Sequence, residues 1–433
     1  MSSRKLILYA MGGLGMNLLN LIVSSYICSA LLTGGFSEAA LPFQTYAQRD
    51  LVDIRLWGSV ILLAKVIDGI IDIPIGALID KLKAKNISVK FMLGISIISV
   101  IISFSALLII PSSIITLNTL YYGVVLCLFY ISYTATMECY YSTFTDVTQS
   151  TIQIQKLSNF KSIFDIIYYI IGFVIIGALL TTFNIRVVAL LALSLSATGI
   201  IPIILYKKNN QIKLDSKTTN ELPFFASLKY VLTDKTFIYW LFTFMFINFG
   251  LQLFMGGINE YFSSTGMNMM IIMASVFLPL PASFWLSSKH YQKKGFLSAL
   301  TYSLIYVILG LFMLFIASLS SECSTYIGIG AGVMMSFGIG TLFSISYSIP
   351  AKLAVKTNNR YKCDTTASYF AIQGLFGAIS AGLGSGLVLV MLKKYDIIFI
   401  IPLLAIISIA VALIMLTVGK TLKSCNYLGG IND

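Results

Sequence analysis

Three ionisable residues, Lys65, Asp68 and Asp72, lie inside an otherwise apolar stretch of the sequence. Their spacing of i, i+3 and i+7 places them on one face of a helix. Ionisable groups at membrane depth are costly, and where they occur they face a protein interior or a watery cavity and commonly bind ions or substrate. The triad therefore predicts a site for a cation or a proton.

The two aspartates are one helical turn apart, and this spacing constrains their charge. Two carboxylates so close together and away from water cannot both ionise freely, so one is protonated or a cation lies between them. Lys65, one turn earlier, can neutralise one of them. A structural cluster of salt bridges that ties this helix to its neighbours is the alternative interpretation of the same residues.

Two further apolar stretches carry polar groups that suit ligand recognition. Glu138 and Tyr141 lie among several hydroxyl-bearing and aromatic residues at 132–143. An acid beside aromatic rings favours recognition of a polar ligand, although hydroxyls also join helices to each other. Lys161 precedes Asp165 by four residues, which indicates either an ion pair at a helix end or a gating or solute-binding role.

The remaining polar groups within apolar stretches are isolated. Asn17 follows a glycine-rich segment and either faces a cavity or bonds to a neighbouring helix. Gln373 is an uncharged polar residue in a second glycine-rich stretch. Glu260 lies near the end of its stretch, where we expect its carboxylate to reach the aqueous interface.

The composition defines the elements that must position these residues. Hydrophobic residues make up 58% of the 433 residues and charged residues 11%, with a mean hydropathy of +0.90. A soluble chain could not keep so much apolar surface from water, so we predict an all-α membrane protein. Apolar runs predict twelve membrane spans, at 5–33, 54–79, 89–111, 117–144, 158–182, 186–206, 236–263, 268–288, 296–318, 325–350, 366–392 and 396–418.

The net charge of +12 follows from the distribution of basic residues between the predicted loops. Lys and Arg cluster in alternate loops, which is the pattern of the positive-inside rule and explains the charge without a nucleic-acid partner. We therefore expect a multi-pass protein of the cell membrane with both termini in the cytoplasm. The Ile- and Lys-rich usage suggests a bacterial source. The six cysteines form no paired motif, so the sequence predicts neither a disulfide framework nor a zinc site.

The longest polar stretch, 207–222, divides the predicted spans six and six. It gives an N-terminal bundle at 1–206, a cytoplasmic central loop with an amphipathic segment at 207–235, and a C-terminal bundle with a short tail at 236–433. Two six-helix halves around a basic loop resemble the major facilitator superfamily, which binds its substrates near the midplane between the halves. A partial match to the loop motif of that superfamily follows the second span, with Gly76, Asp80, Lys81, Lys83 and Lys85.

Residues 9–80 resemble the glycoside–pentoside–hexuronide:cation symporter family of that superfamily. The first span of the family has a glycine-rich segment that ends in a polar residue, matched here by Gly12 to Asn17. Its second span reads basic-x-x-Asp-x-x-x-Asp-Pro-x-x-Gly. This sequence has Lys65, Asp68, Asp72, Pro74 and Gly76, with one residue inserted before the proline. The resemblance implies that the two aspartates bind the coupling cation.

The resemblance also identifies the positions at which this sequence departs from the family. Tyr133, Thr134 and Tyr141 fit the fourth span of the family, and Lys161 takes the place of an arginine in the fifth. Three charged positions of the family are replaced by Asn17, Met137 and Gln373. The resemblance thus implies a retained cation site and a changed solute site that does not favour simple galactosides.

We therefore predict a monomeric secondary transporter that is not an enzyme and needs no cofactor beyond a coupling ion. It would carry out cation- or proton-coupled symport of a small polar, sugar-like solute by alternating access. The predicted ion-site residues are Lys65, Asp68, Asp72 and Thr134, with sodium as the metal if the ion is not a proton. The predicted solute-site residues are Asn17, Glu138, Tyr141, Lys161 and Gln373.

Four alternatives remain open from the sequence. One is a receptor or assembly factor that does not transport, which only a flux assay separates from a transporter. The same scaffold could export its substrate or carry a lysolipid or similar amphiphile. A membrane prenyltransferase is a remote alternative, because such enzymes also place Asp-x-x-x-Asp on a helix to hold magnesium and a diphosphate. They need a second acidic cluster in the other half of the chain, which this sequence lacks.

Overall fold

A computed structural model of the chain describes residues 3–32, 50–84, 87–147, 151–180, 182–206, 231–320, 323–345, 349–350, 353 and 366–418. These residues are helical apart from short connections, and none of them is in a β-strand. The all-α prediction is therefore confirmed. The central polar stretch at 207–222, most of its amphipathic extension, Lys85 and the side chains of Asp80, Lys81 and Lys83 lie outside the described part.

The chain divides into two compact units, Met1–Asp215 and Ser216–Asp433. The helices of the N-terminal unit are α1 (Arg4–Ala30), α2 (Ile54–Ala84), α3 (Val89–Leu107), α4 (Ile115–Ser142), α5 (Thr151–Tyr169) and α6 (Ile185–Leu205). A π-helical segment, Val23–Ile27, interrupts α1, and another, Ile170–Ile176, continues α5. Because π-helical segments are often found at functional sites, both mark helices of interest.

Helices α2 and α4 run side by side in the same direction. The backbone N–H of Asp53 donates to Thr119 Oγ1, and the hydroxyl of Thr134 donates to Asp68. In each contact the two residues are 66 positions apart in the sequence. The two contacts are separated by about four helical turns along the helix pair. This constant register places the polar residues of α2 opposite those of α4.

The C-terminal unit is also built from helices, and two of the predicted spans are each divided into two helices. Its helices are α7 (Lys235–Gly256), α8 (Ile258–Thr265), α9 (Met269–Phe277), α10 (Leu280–Lys294), α11 (Phe296–Leu319), α12 (Ser324–Ile345), α13 (Ser368–Lys394) and α14 (Ile398–Thr417). The predicted single span 268–288 is two helices, because Pro279 and Pro281 each remove a backbone donor. The predicted span 236–263 is likewise divided at Gly257.

Nine helices in the described residues are long and apolar enough to cross a membrane. The other three predicted spans lie on α2, on α5 with its π-helical extension, and on α9 with α10. Helix α2 has 31 residues, but Lys65, Asp68 and Asp72 interrupt its apolar sequence. The apolar parts of the other two, Ile163–Leu179 and Met269–Ser283, are shorter.

Candidate functional site

The centre of the candidate site is the polar face of α2. Lys65, Asp68 and Asp72 are all partly buried, on a helix that continues without interruption through Pro74. The described hydrogen-bond partner of Asp68 is Thr134 on α4, whose Oγ1 donates to Asp68 Oδ1 at 2.8 Å. Thr134 is itself buried. The structure therefore brings Thr134 into contact with Asp68, and Lys65 and Asp72 lie about one helical turn from Asp68 on the same helix.

Lys65 has a different neighbour from the one that its spacing suggests. Its Nζ lies 4.0 Å from the centre of the Tyr130 ring, a distance typical of a cation–π interaction. Lys65 also interacts electrostatically with Asp68. Among the described residues it forms no ion pair within 4.0 Å. The ammonium thus interacts electrostatically with the carboxylate without forming a direct ion pair among the described residues.

Asp72 lies one turn further along α2, within electrostatic range of both Asp68 and Glu138. The register of α2 against α4 explains this neighbourhood, because Glu138 is also 66 positions from Asp72. Three acidic side chains and one lysine therefore share this part of the unit. Among the described residues, no three His, Cys, Asp or Glu side chains form a group that could hold a metal ion.

Glu138 rather than Met137 lies toward the acids of α2. Met137 is only 5% exposed, and its methyl group packs near Gly13 of α1. One residue corresponds to about 100° of rotation on a helix, so the neighbouring Glu138 points to a different side. The acid of this segment is therefore available to the polar face although it is displaced by one position from the family pattern.

A second polar cluster joins α1, α4 and α5. Asn17 is buried. Its Nδ2 donates to Asp165 Oδ1 at 3.0 Å, and its Oδ1 accepts from the Tyr133 hydroxyl at 2.8 Å. Asp165 Oδ2 accepts from Lys161 Nζ at 2.5 Å, and that ammonium lies 5.2 Å from the centre of the Tyr141 ring. The cluster links three helices and contains three predicted solute-site residues.

Asp165 and Tyr133 belong to this cluster although neither was among the predicted site residues. The i,i+4 spacing of Lys161 and Asp165 was visible in the sequence, but it indicated an ion pair at a helix end equally well. In the structure the Lys161 and Asp165 side chains are 20% and 30% exposed, and Asp165 also binds Asn17. The packing of α1 against α5 is what shows that Asp165 connects two helices in addition to pairing with Lys161.

Gln373 is separate from both clusters, within the C-terminal unit. It is 3% exposed, and its Oε1 accepts from Trp240 Nε1 at 2.7 Å. The prediction that Glu260 reaches the aqueous interface is wrong. Glu260 and Lys393 form an ion pair whose side chains are 4% and 6% exposed, because the chain provides a buried partner 133 residues away.

Comparison with known proteins agrees with this architecture. Residues 8–418 match the family described as MFS/sugar transport protein. The chain therefore belongs to this family and is a transporter rather than an enzyme, so the prenyltransferase alternative is wrong. No curated protein sequence gives a significant match.

Solved structures of other transporters share the fold at low sequence identity. The nucleoside transporter NupG has a TM-score of 0.64 at 16% identity, covering 96% of this chain and 98% of that one. A point mutant of NupG gives the same TM-score at 15% identity, covering 96% and 99%. A bacterial homologue of the human lysosomal transporter Spinster, inward-facing and unoccupied, has a TM-score of 0.53 at 12% identity, covering 99% and 95%.

Proposed function

We propose that this member of the MFS/sugar transport family is a symporter that couples a small polar, sugar-like solute to a cation or proton gradient. The observation that carries the proposal is the contact between Asp68 and Thr134, with Asp72, Glu138 and Lys65 nearby. These groups lie on helices of a membrane transporter, where ionisable residues are retained mainly for function.

The ion site is proposed at Asp68 and Asp72, with the Thr134 oxygen close by. Carboxylate and hydroxyl oxygens are suitable donors for a hard cation, and the same carboxylates can take up a proton. Asp68 and Asp72 are of intermediate exposure, and the proposal requires that one side of the transporter opens them to water. Occupancy of the site would then change the cost of exposing these charges and bias the direction in which the transporter opens.

Solute contacts are proposed at Asn17, Glu138, Tyr141 and Lys161 in the N-terminal unit, with Tyr133 and Asp165 as additional members. Gln373 of the C-terminal unit stays a separate predicted solute contact. Tyr141 is 37% exposed, so one face of its ring is accessible for stacking on a sugar-like ring. Lys161 and Asp165 provide a donor and an acceptor beside that ring. A neutral solute with several hydroxyls fits this combination best.

Uptake into proteoliposomes tests the proposal directly. Purified protein would be screened with sugars, nucleosides and related polyols under imposed Na⁺ or H⁺ gradients, with protein-free liposomes as the control. Nucleosides belong in the screen because NupG carries them. We expect accumulation of at least one solute to follow one gradient, and little uptake of simple galactosides because Asn17, Met137 and Gln373 carry no charge.

Other outcomes would favour the alternatives. Flux that responds to neither gradient would contradict coupling, and movement of lysolipids in place of polar solutes would favour an amphiphile transporter. Transport only from the cytoplasmic side would favour an exporter. The orientation is tested separately, since single cysteines placed at 207–222 of a Cys-less variant should be labelled only from the cytoplasm, and labelling of intact cells from outside would contradict the proposed topology.

A further inference from the structure

We infer that Lys65 is a tethered counter-cation that competes with the coupling ion for Asp68, and that the Tyr130 ring is its resting place while the ion is bound. This inference rests on the proposed ion site. It assigns roles to two residues, one of which, Tyr130, belongs to neither of the clusters described above.

The position of the lysine is the first support. Lys65 and Asp68 share a helical face three residues apart, and their charges interact. Even so, Nζ lies 4.0 Å from the centre of the Tyr130 ring, while Asp68 accepts a hydrogen bond from Thr134. Because a lysine ammonium is carried on a flexible four-carbon stem, it can reach the carboxylate by a change of side-chain rotamer alone.

The state of Tyr130 is the second support. This tyrosine is fully buried, and its hydroxyl has no hydrogen-bond partner among the described residues. A buried tyrosine usually pairs its hydroxyl, so the polar end of Tyr130 does not explain its presence here. Its ring face does have a role, since it receives the Lys65 ammonium.

The energies of the two positions of Lys65, on the Tyr130 ring and beside Asp68, are similar enough for the ammonium to move between them. An empty transporter must reorient with Asp68 and Asp72 at membrane depth, where an uncompensated charge is costly. A lysine that moves to Asp68 neutralises one of these charges when the coupling ion leaves. A cation–π contact is worth roughly two- to thirtyfold in an equilibrium, which holds the ammonium away from Asp68 without preventing its return.

Two opposite substitutions follow from this exchange. Lys65→Gln removes the competitor, so the coupling ion should bind more tightly. Tyr130→Leu removes the resting place, so Lys65 should compete more strongly and the ion should bind more weakly. Tyr130→Phe is the matched control, since it keeps the ring face and removes only a hydroxyl that has no described partner.

Ion binding can be measured without knowing the solute, through labelling of Asp68 and Asp72 by a hydrophobic carbodiimide. The purified full-length protein would be labelled at a series of Na⁺ concentrations and pH values, and peptide mass spectrometry would report each carboxyl. The Na⁺ concentration that halves labelling should fall about tenfold in Lys65→Gln and rise severalfold in Tyr130→Leu, in line with the strength of cation–π contacts. If the ion is H⁺, the H⁺ concentration for half-maximal labelling should shift in the same directions.

The labelling results distinguish failure of the proposed ion site from failure of the counter-cation role of Lys65. Wild-type labelling that responds to neither Na⁺ nor H⁺ would overturn the proposed ion site itself. A responsive wild type with unchanged values in Lys65→Gln and Tyr130→Leu would overturn the counter-cation alone. A shift in Tyr130→Phe as large as that in Tyr130→Leu would also overturn it, because the ring face is retained. Since the two tyrosine variants keep all charges, they remain informative if Lys65→Gln does not fold.

Transport provides a second readout once a solute is known. Lys65→Gln should retain exchange, in which the transporter reorients with ion and solute bound. It should lose net uptake, which requires the empty form to return with both carboxylates. Equal loss of exchange and net uptake would show that Lys65 has only a structural role.

Discussion

Both units have polar contacts between parallel helices, but these contacts differ in where charged groups lie. In the N-terminal unit, Asp68 on α2 meets Thr134 on α4. In the C-terminal unit the described charged member is Asp234, which caps the start of α7 and accepts from Tyr369 on α13, while the contacts further along α7 are neutral. There, Trp240 on α7 donates to Gln373 on α13, and Asn248 on α7 donates to Ser380 Oγ at 2.8 Å. Neutral groups that satisfy each other have no charge to exchange with an ion, so the difference favours ion coupling in the N-terminal unit.

Among its described residues, the C-terminal unit contains one ion pair, and the geometry of this pair is different. Glu260 and Lys393 are paired directly, with nearly complete burial of both side chains. Lys65 and Asp68 are close, partly buried and not directly paired among the described residues. A direct and buried ion pair favours a structural role, whereas an acid and a base that are not directly paired leave the acid able to bind an ion.

The largest stability effect is expected for Glu260→Gln. Removing one partner of a buried ion pair leaves the other charge uncompensated, which costs about 3–5 kcal/mol. Thermal unfolding of the purified protein should show this loss, while any protein that remains folded should keep the ion dependence of transport. A folded variant that has lost ion dependence would contradict the division of roles between the units.

A smaller effect is expected for Gln373→Leu. This change leaves the buried Trp240 N–H without its acceptor, which costs about 1–3 kcal/mol. Because no charge is altered, the ion concentration for half-maximal uptake should stay within about twofold of the wild type. The matched change in the other unit is Thr134→Val, which removes the donor to Asp68 and should shift that concentration. Similar shifts in both variants would remove the distinction between the contacts of the two units.

The smallest effect is expected for Tyr26→Phe, away from either polar cluster. The Tyr26 hydroxyl donates to the Gly172 carbonyl at 2.9 Å and joins the π-helical segments of α1 and α5. Its loss should reduce the free energy of unfolding by about 1 kcal/mol and leave ion dependence unchanged. Chemical denaturation and uptake on the same preparation measure both quantities, and altered ion dependence would show that coupling extends beyond α2 and α4.

The sequence predicted the helices well where apolar runs were long and unbroken. The predicted spans 186–206 and 296–318 differ by a residue at most from Ile185–Leu205 and Phe296–Leu319. The prediction was weaker where prolines break a helix, as at Pro279, because hydropathy records burial in lipid and not the continuity of backbone hydrogen bonds.

The site was predictable only where it depends on spacing within one helix. The shared face of Lys65, Asp68 and Asp72 follows directly from helical periodicity. Contacts between helices do not, since nothing in the sequence distinguishes Tyr130 from Asp68 as the neighbour of Lys65. The pair of Glu260 and Lys393 was missed for the same reason.

The most direct test of the central claim is gradient-driven uptake and counterflow by Asp72→Asn in liposomes. We expect this variant to fold and insert, because Lys65 can still compensate Asp68. Accumulation driven by the ion gradient should be abolished while solute counterflow survives, since the proposed solute contacts lie on other helices. Full ion-dependent accumulation by Asp72→Asn would contradict an ion site at Asp68 and Asp72 and favour a structural salt-bridge cluster.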